Sequence, residues 1–150
     1  ARPSAGASRG RTPVDAARGT FEHGADFGIY GRGPTITAAF CAAAEEMFAL
    51  VTDLAGVKPG LTVFFDFEEA DVEMALVRWL NLLLFHAADQ GAVFARFTLV
   101  REGDLWKGSA SGEAWREGLE RGTDVKGATL TMLSVKQDGG AWDARCVVDV

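Results

Sequence analysis

The residues in this chain best suited to chemistry are a few oxygen and nitrogen donors whose spacing sets them apart. FEHGADFGIYGRGPT, residues 21–35, puts His23 and Asp26 three positions apart in a glycine-rich setting. A His-x-x-Asp pair alone is an ordinary turn or surface pair. It becomes a metal site only when a second acid arrives at the same edge of a sheet. The closing stretch AWDARCVVDV offers one. Strand alternation there sends Trp142, Ala144, Cys146 and Val148 to one face and Asp143, Arg145, Val147 and Asp149 to the other. Asp26, Asp149 and the carboxylate of Val150, if the chain stops there, would form an all-oxygen anionic cluster. Such a donor set suits a hard divalent cation, Ca²⁺ or Mg²⁺, rather than zinc.

Two further charged residues are candidates for the same neighbourhood. Asp53, in ALVTDLAG, sits where a helix ends, and a carboxylate there opposes the helix dipole. It is either a turn former or a third acid near the site. Lys126, in DVKGATL, reads as a strand lysine, either a solvated edge charge or part of the site.

Other features point to structure. Gly31 and Gly33 make only a GxG, without the third glycine of a dinucleotide fingerprint, and no lysine follows them to reach a phosphate. Gly33-Pro34 therefore reads as a turn between a strand and a helix. His86 reads as a packed or rim histidine. Cys41 and Cys146 are isolated thiols without metal-binding spacing, as expected in a reducing cytoplasm. Trp79, Trp106, Trp115 and Trp142 fall in four separate segments and read as core or rim rather than an RNA-stacking surface.

The elements that must position these residues follow from periodicity. Asp26–Tyr30 alternates as a short strand. Thr35 caps a helix with Ile36, Phe40, Ala43, Met47, Leu50 and Leu54 at three- and four-residue spacing. Leu61, Val63, Phe65 and Phe67 line one face of a second strand. Asp71 caps a second helix, which Gly91 ends; Met74, Val77, Leu80 and Leu84 form its stripe, widened by Leu76, Leu83 and Ala87. Strand-like segments follow at about 92–102, 104–114, 124–137 and 141–150. Apolar parity slips between Met132 and Leu133, which predicts a bulge. Two helices among about six strands indicate an α+β domain, the helices packed on a largely antiparallel sheet.

The 150 residues fit one domain, and 48% hydrophobic with 24% charged residues is a globular composition. The net charge of −6 divides into +3 over residues 1–20 and −9 over the rest. Residues 1–19 read as a disordered basic arm, and 20–150 as a single domain. An acidic body argues against direct binding of a phosphate backbone. The apolar run WLNLLLF is too short to span a bilayer, and no secretory signal pattern opens the sequence. The expected location is the cytoplasm, away from any membrane.

From Phe21 to Val150 the chain resembles the archease family. The resemblance is carried by FEHGADFGIYGRGPT, AFCAAAEEMFALVTDL, VRWLNLLLF with the following AVFARFTLV, GTDVKGATL and RCVVDV. It implies an α+β body with a strand-helix-strand-strand module. It further implies that Asp26 and Asp149 bind a metal ion together with Val150, and that His23, Asp53 and Lys126 belong to the metal vicinity or a partner contact. Family members assist a GTP-dependent RNA ligase that rejoins tRNA halves, promoting its guanylylation and multiple turnover. The chain is thus expected to be an accessory protein, not an enzyme, which meets tRNA only through the ligase. Gly24 stands where the family has threonine. Leu130 and Thr131 replace its late Tyr-His.

Two rival expectations come from other classes. One is a small metal-dependent phosphoester hydrolase with His23 as acid or base. The other is a non-catalytic interaction module whose acids are merely solvated.

Overall fold

The computed structural model describes residues 17–150. The expected disordered arm falls mostly on residues 1–16, outside the described residues. The described residues begin before the arm's expected end. Strand β1 (Arg18–His23) already includes Arg18 and Gly19. Arg18 is fixed there by an ion pair to Glu46 at 2.6 Å, and the Arg32 N–H donates to the Ala17 carbonyl at 2.6 Å.

β1 forms a hairpin with β2 (Asp26–Gly33). Helix α1 (Ile36–Val51) follows, its first turn capped by the Thr35 hydroxyl, which accepts from the Ala38 N–H at 3.1 Å. A 3-10 turn (Leu54–Gly56) leads to β3 (Leu61–Glu68). Helix α2 (Val72–Gln90) is capped by Asp71, whose Oδ1 accepts from Glu73 N at 2.8 Å and Met74 N at 3.2 Å. Gly91 ends it in the left-handed conformation that helix C-termini favour. β4 (Ala92–Glu102), β5 (Leu105–Ala114), β6 (Gly127–Ala128), β7 (Ser134–Asp138) and β8 (Ala141–Asp149) complete the order.

The strands divide into two antiparallel sheets rather than one. The first runs β1-β2-β8-β6, with β7 also paired to β8; the second runs β3-β5-β4. The second sheet and α2 make up the strand-helix-strand-strand module, residues 61–114. Helix α1 lies between the sheets because it is buried on two sides. Toward β2, Gly31 lets the helix backbone at Ala39 and Ala43 approach so closely that a Cβ would collide with it. Toward the module, Phe40 stacks on Trp106, and Phe48 packs against Phe94 and Phe97.

The helical stripes come out wider than their spacing suggests. In α2 the fully buried residues include Leu76, Trp79, Leu80 and Leu83, whereas Met74 and Leu84 are only half-buried. Trp79 takes the centre because its ring packs on Phe65 and its Nε1–H donates to the Phe40 carbonyl at 3.0 Å. The expected bulge is a larger break. The segment 124–137 contributes strand only as β6 and β7, with Met132 at φ 56° in the loop between them. The Val147 carbonyl accepts from the Thr129 N–H, and the Val147 N–H donates to the Thr131 carbonyl, each at 3.0 Å, so the loop stays on β8.

Candidate functional site

The β1–β2 hairpin places His23 directly opposite Asp26, with only Gly24 and Ala25 between them. Gly24 has φ +60°, the first-position conformation of a tight hairpin turn that glycine adopts without penalty. The residue replacing the family's threonine therefore suits this turn on its own terms. β2 then pairs with β8 so that Phe27 faces Val148. The same register carries Asp26 to the end of β8, where the Val150 N–H donates to Asp26 Oδ1 at 3.4 Å. From the other side, Gly127 pairs with Asp149, and the Lys126 N–H donates to the Asp149 carbonyl at 2.8 Å.

Four strands thus bring His23, Asp26, Asp149, Val150 and Lys126 to one edge of the first sheet. Pleat parity puts the His23, Asp26 and Asp149 side chains on the same face. Asp26 and Val150 are half-buried; His23, Asp149 and Lys126 are exposed. Among the described residues, neither Asp26 nor Asp149 has an ion-pair partner. No group of three or more His, Cys, Asp or Glu side chains is preassembled for a metal ion among the described residues. What the edge offers is two unpaired carboxylates, plus the main chain of Val150. That donor chemistry fits a hard cation.

Lys126 is not a strand residue. It directly precedes β6, although its N–H makes a ladder bond to β8. Asp53 has a structural role, capping the 3-10 turn through its Oδ1, which accepts from the Ala55 N–H at 3.1 Å. No hydrogen bond or ion pair joins it to Asp26 or Asp149 among the described residues. It does lie at the end of α1 to which the Lys126 segment is tied. The Gly122 and Thr123 N–H groups donate to the Val51 and Leu50 carbonyls, both at 2.7 Å, and the Thr52 hydroxyl donates to the Glu120 carbonyl at 2.6 Å. The first two bonds satisfy carbonyls that a helix end leaves open.

Beside this segment runs a groove of about 870 Å³ between the C-terminal ends of α1 and α2, with Phe48, Leu84, Phe85 and Trp115 among its apolar lining. Arg121 and Lys126 also line it, and Arg121 covers the Trp115 ring at 4.0 Å.

The residues read as structural are so. His86 stacks on Phe65 at 4.9 Å. Trp79 and Trp106 are buried, while Trp115 and Trp142 pack at the margin of the core. Burial pushes the Cys41 and Cys146 thiols up to about 12. One residue that pattern reading passes over is Asn81, whose carboxamide bonds the backbone of β6. The available signal is a single amide inside the apolar run WLNLLLF.

The two antiparallel sheets, the helix between them and the two acids at the edge of the first sheet define a small α+β domain. The Archease protein family matches residues 19–150, and the chain belongs to that family. It is 31% identical over 135 residues to the protein archease of Aeropyrum pernix, covering 86% of this chain and 94% of that one. To the protein archease of Sulfolobus acidocaldarius it is 32% identical over 133 residues, covering 87% and 96%. Among solved structures, the solution structure of Methanobacterium thermoautotrophicum protein 1598 superposes with a TM-score of 0.77 at 27% identity, covering 89% of this chain and 99% of that one. A Thermotoga maritima archease, described as a possible chaperone, shares the fold with a TM-score of 0.63 at 19% identity, covering 96% and 100%. No described helix is long and apolar enough to cross a membrane.

Proposed function

We propose that this protein is a metal-binding activator of a GTP-dependent tRNA-splicing RNA ligase, promoting the ligase's guanylylation and repeated turnover. The observation that carries the reading is the convergence of Asp26, Asp149 and Val150 beside Lys126 at one exposed sheet edge. Asp26, Asp149 and Val150 would hold a divalent cation, Ca²⁺ or Mg²⁺. The bound cation would supply a concentrated positive charge on an otherwise acidic surface. The chain's own residues do the rest. The hairpin fixes Asp26, β8 fixes Asp149, and Lys126 adds an ammonium at the rim of the apolar groove.

An acidic helper that docks on a basic, RNA-binding ligase gains electrostatic steering without competing for the RNA. tRNA is then met only through the ligase, and the shared compartment is the cytoplasm.

Guanylylation and multiple-turnover ligation are measured with and without the protein, then with Asp26→Ala and Asp149→Ala. The wild-type chain is expected to stimulate both, and each variant to lose most of the stimulation. Absence of any stimulation by the wild-type chain defeats the reading. Calorimetry with Ca²⁺, Mg²⁺ and Mn²⁺ distinguishes an ion-dependent activator from an ion-free interaction module.

A further inference from the structure

Asn81 lies within α2, yet its carboxamide makes the two bonds that a neighbouring strand would make to β6. Its Oδ1 accepts from the Ala128 N–H at 2.8 Å, and its Nδ2 donates to the Ala128 carbonyl at 3.3 Å. β6 has two residues and is the last strand of its sheet on that side. Its opposite side bonds β8. There Lys126 N–H donates to the Asp149 carbonyl at 2.8 Å, and the Val147 carbonyl accepts from the Thr129 N–H at 3.0 Å and the Thr129 hydroxyl at 2.7 Å. The N–H and C=O of one strand residue point to the same side and those of the next residue to the other, so both Ala128 groups point away from β8, toward the helix.

We infer that Asn81 is a positioning residue: it holds β6 in place, and through β6 it sets Lys126 and the main chain of Asp149 at the acidic edge. The inference rests on the reading of that edge as the ion- and ligase-contacting site. A two-residue strand has too few bonds of its own to stay closed. Without Asn81, the half-buried Ala128 N–H and carbonyl lose their partners, and the segment exchanges them for water by opening. The Asp149 carbonyl then loses the Lys126 N–H that pins it. A ligand whose main chain is loose must be ordered again whenever an ion binds, which weakens binding.

The test compares wild type with Asn81→Leu and Asn81→Asp at a temperature where all three are folded. Leucine keeps the approximate volume and removes both bonds. An ionised aspartate keeps the acceptor for the Ala128 N–H and removes the donor. Amide hydrogen exchange is read at Lys126 and Ala128, with Ile29 and Cys146 as references in β2 and β8. Titrations with Ca²⁺, Mg²⁺ and Mn²⁺ and ligase guanylylation at stepped ion concentrations complete the set.

In Asn81→Leu the Ala128 amide is expected to exchange at least about tenfold faster, with the reference amides unchanged. Ion affinity should fall by at least about tenfold, and added ion should restore ligase stimulation. Asn81→Asp should fall between the two. Unchanged exchange at Ala128, or unchanged ion affinity, in a folded variant overturns the inference. If Asn81→Leu does not fold, Asn81→Asp serves the same comparison. A wild-type chain that binds none of the ions overturns the reading of the edge instead, and exchange at Ala128 then decides alone whether Asn81 holds β6.

Discussion

The Val150 N–H points at the Asp26 carboxylate, 3.4 Å from Oδ1, across 124 residues of sequence. The bond is long and therefore weak, but it shows that the two ends of the domain meet at one sheet edge. Asp26 is held by the opening hairpin and Val150 by the closing strand, so neither residue depends on the other for its place in the fold.

That independence gives the first prediction. Asp26→Asn keeps an acceptor for the Val150 N–H and removes only charge; Asp149→Asn changes an exposed side chain. Both variants should unfold in urea within about 0.5 kcal/mol of wild type. Their affinity for Ca²⁺ or Mg²⁺ should nevertheless collapse in calorimetric titration. Wild-type ion affinity in Asp26→Asn would remove that carboxylate from the ligand set.

Gly24 makes the second. Restoring the family's threonine there places a β-branched residue at φ +60°. A Cβ has open space around it, so the penalty comes from the backbone alone, about 1–2 kcal/mol. Gly24→Thr should lower the melting temperature by several degrees and leave ion affinity no higher than wild type. Tighter ion binding in this variant would mean that the family hydroxyl does bear on the site.

The third concerns the two thiols, Cys146 buried and Cys41 half-buried. Cys41 and Cys146 are raised from 9.0 to about 12, chiefly by burial and, for Cys41, also by nearby Glu45. Between those values the unfolded chain releases protons that the folded chain keeps, so stability falls as pH rises. The thiols' contribution is complete below about pH 9 and is lost toward pH 12, at most about 1.4 kcal/mol per pH unit per thiol. Urea unfolding at stepped pH should show this decline, and Cys41→Ala should flatten part of it. A thiol reagent at neutral pH should label neither residue until the protein unfolds.

The features legible in the sequence are those whose causes are local. Thr35, Asp71 and Gly91 act on backbone groups within a few residues, and each sits where its helix begins or ends. The alternation of β3 is equally local. β1 escapes pattern reading because RGTFEH has one large apolar residue, Phe21, whose ring fills the space above Gly28 on the next strand. The division into two sheets depends on α1 being buried on two sides, which its own spacing only hints at. Asp26 and Asp149 can be matched because parity places both on one face. Asn81 cannot, because its partner is 47 residues away and its neighbours are all apolar.

β8 has a further consequence for how the protein is made. It lies between β2 on one side and β6 and β7 on the other, yet it is the last of the described strands to leave the ribosome. Residues 61–114 can assemble from contacts along a continuous stretch, as domains with short-range contacts do quickly. The other sheet must wait with its middle missing. A nascent chain halted before Ala141 has the Asp26 hairpin and Lys126, but nothing to bring them together. Its edge closes only once β8 has emerged, so an unfinished copy has no assembled site to offer a partner.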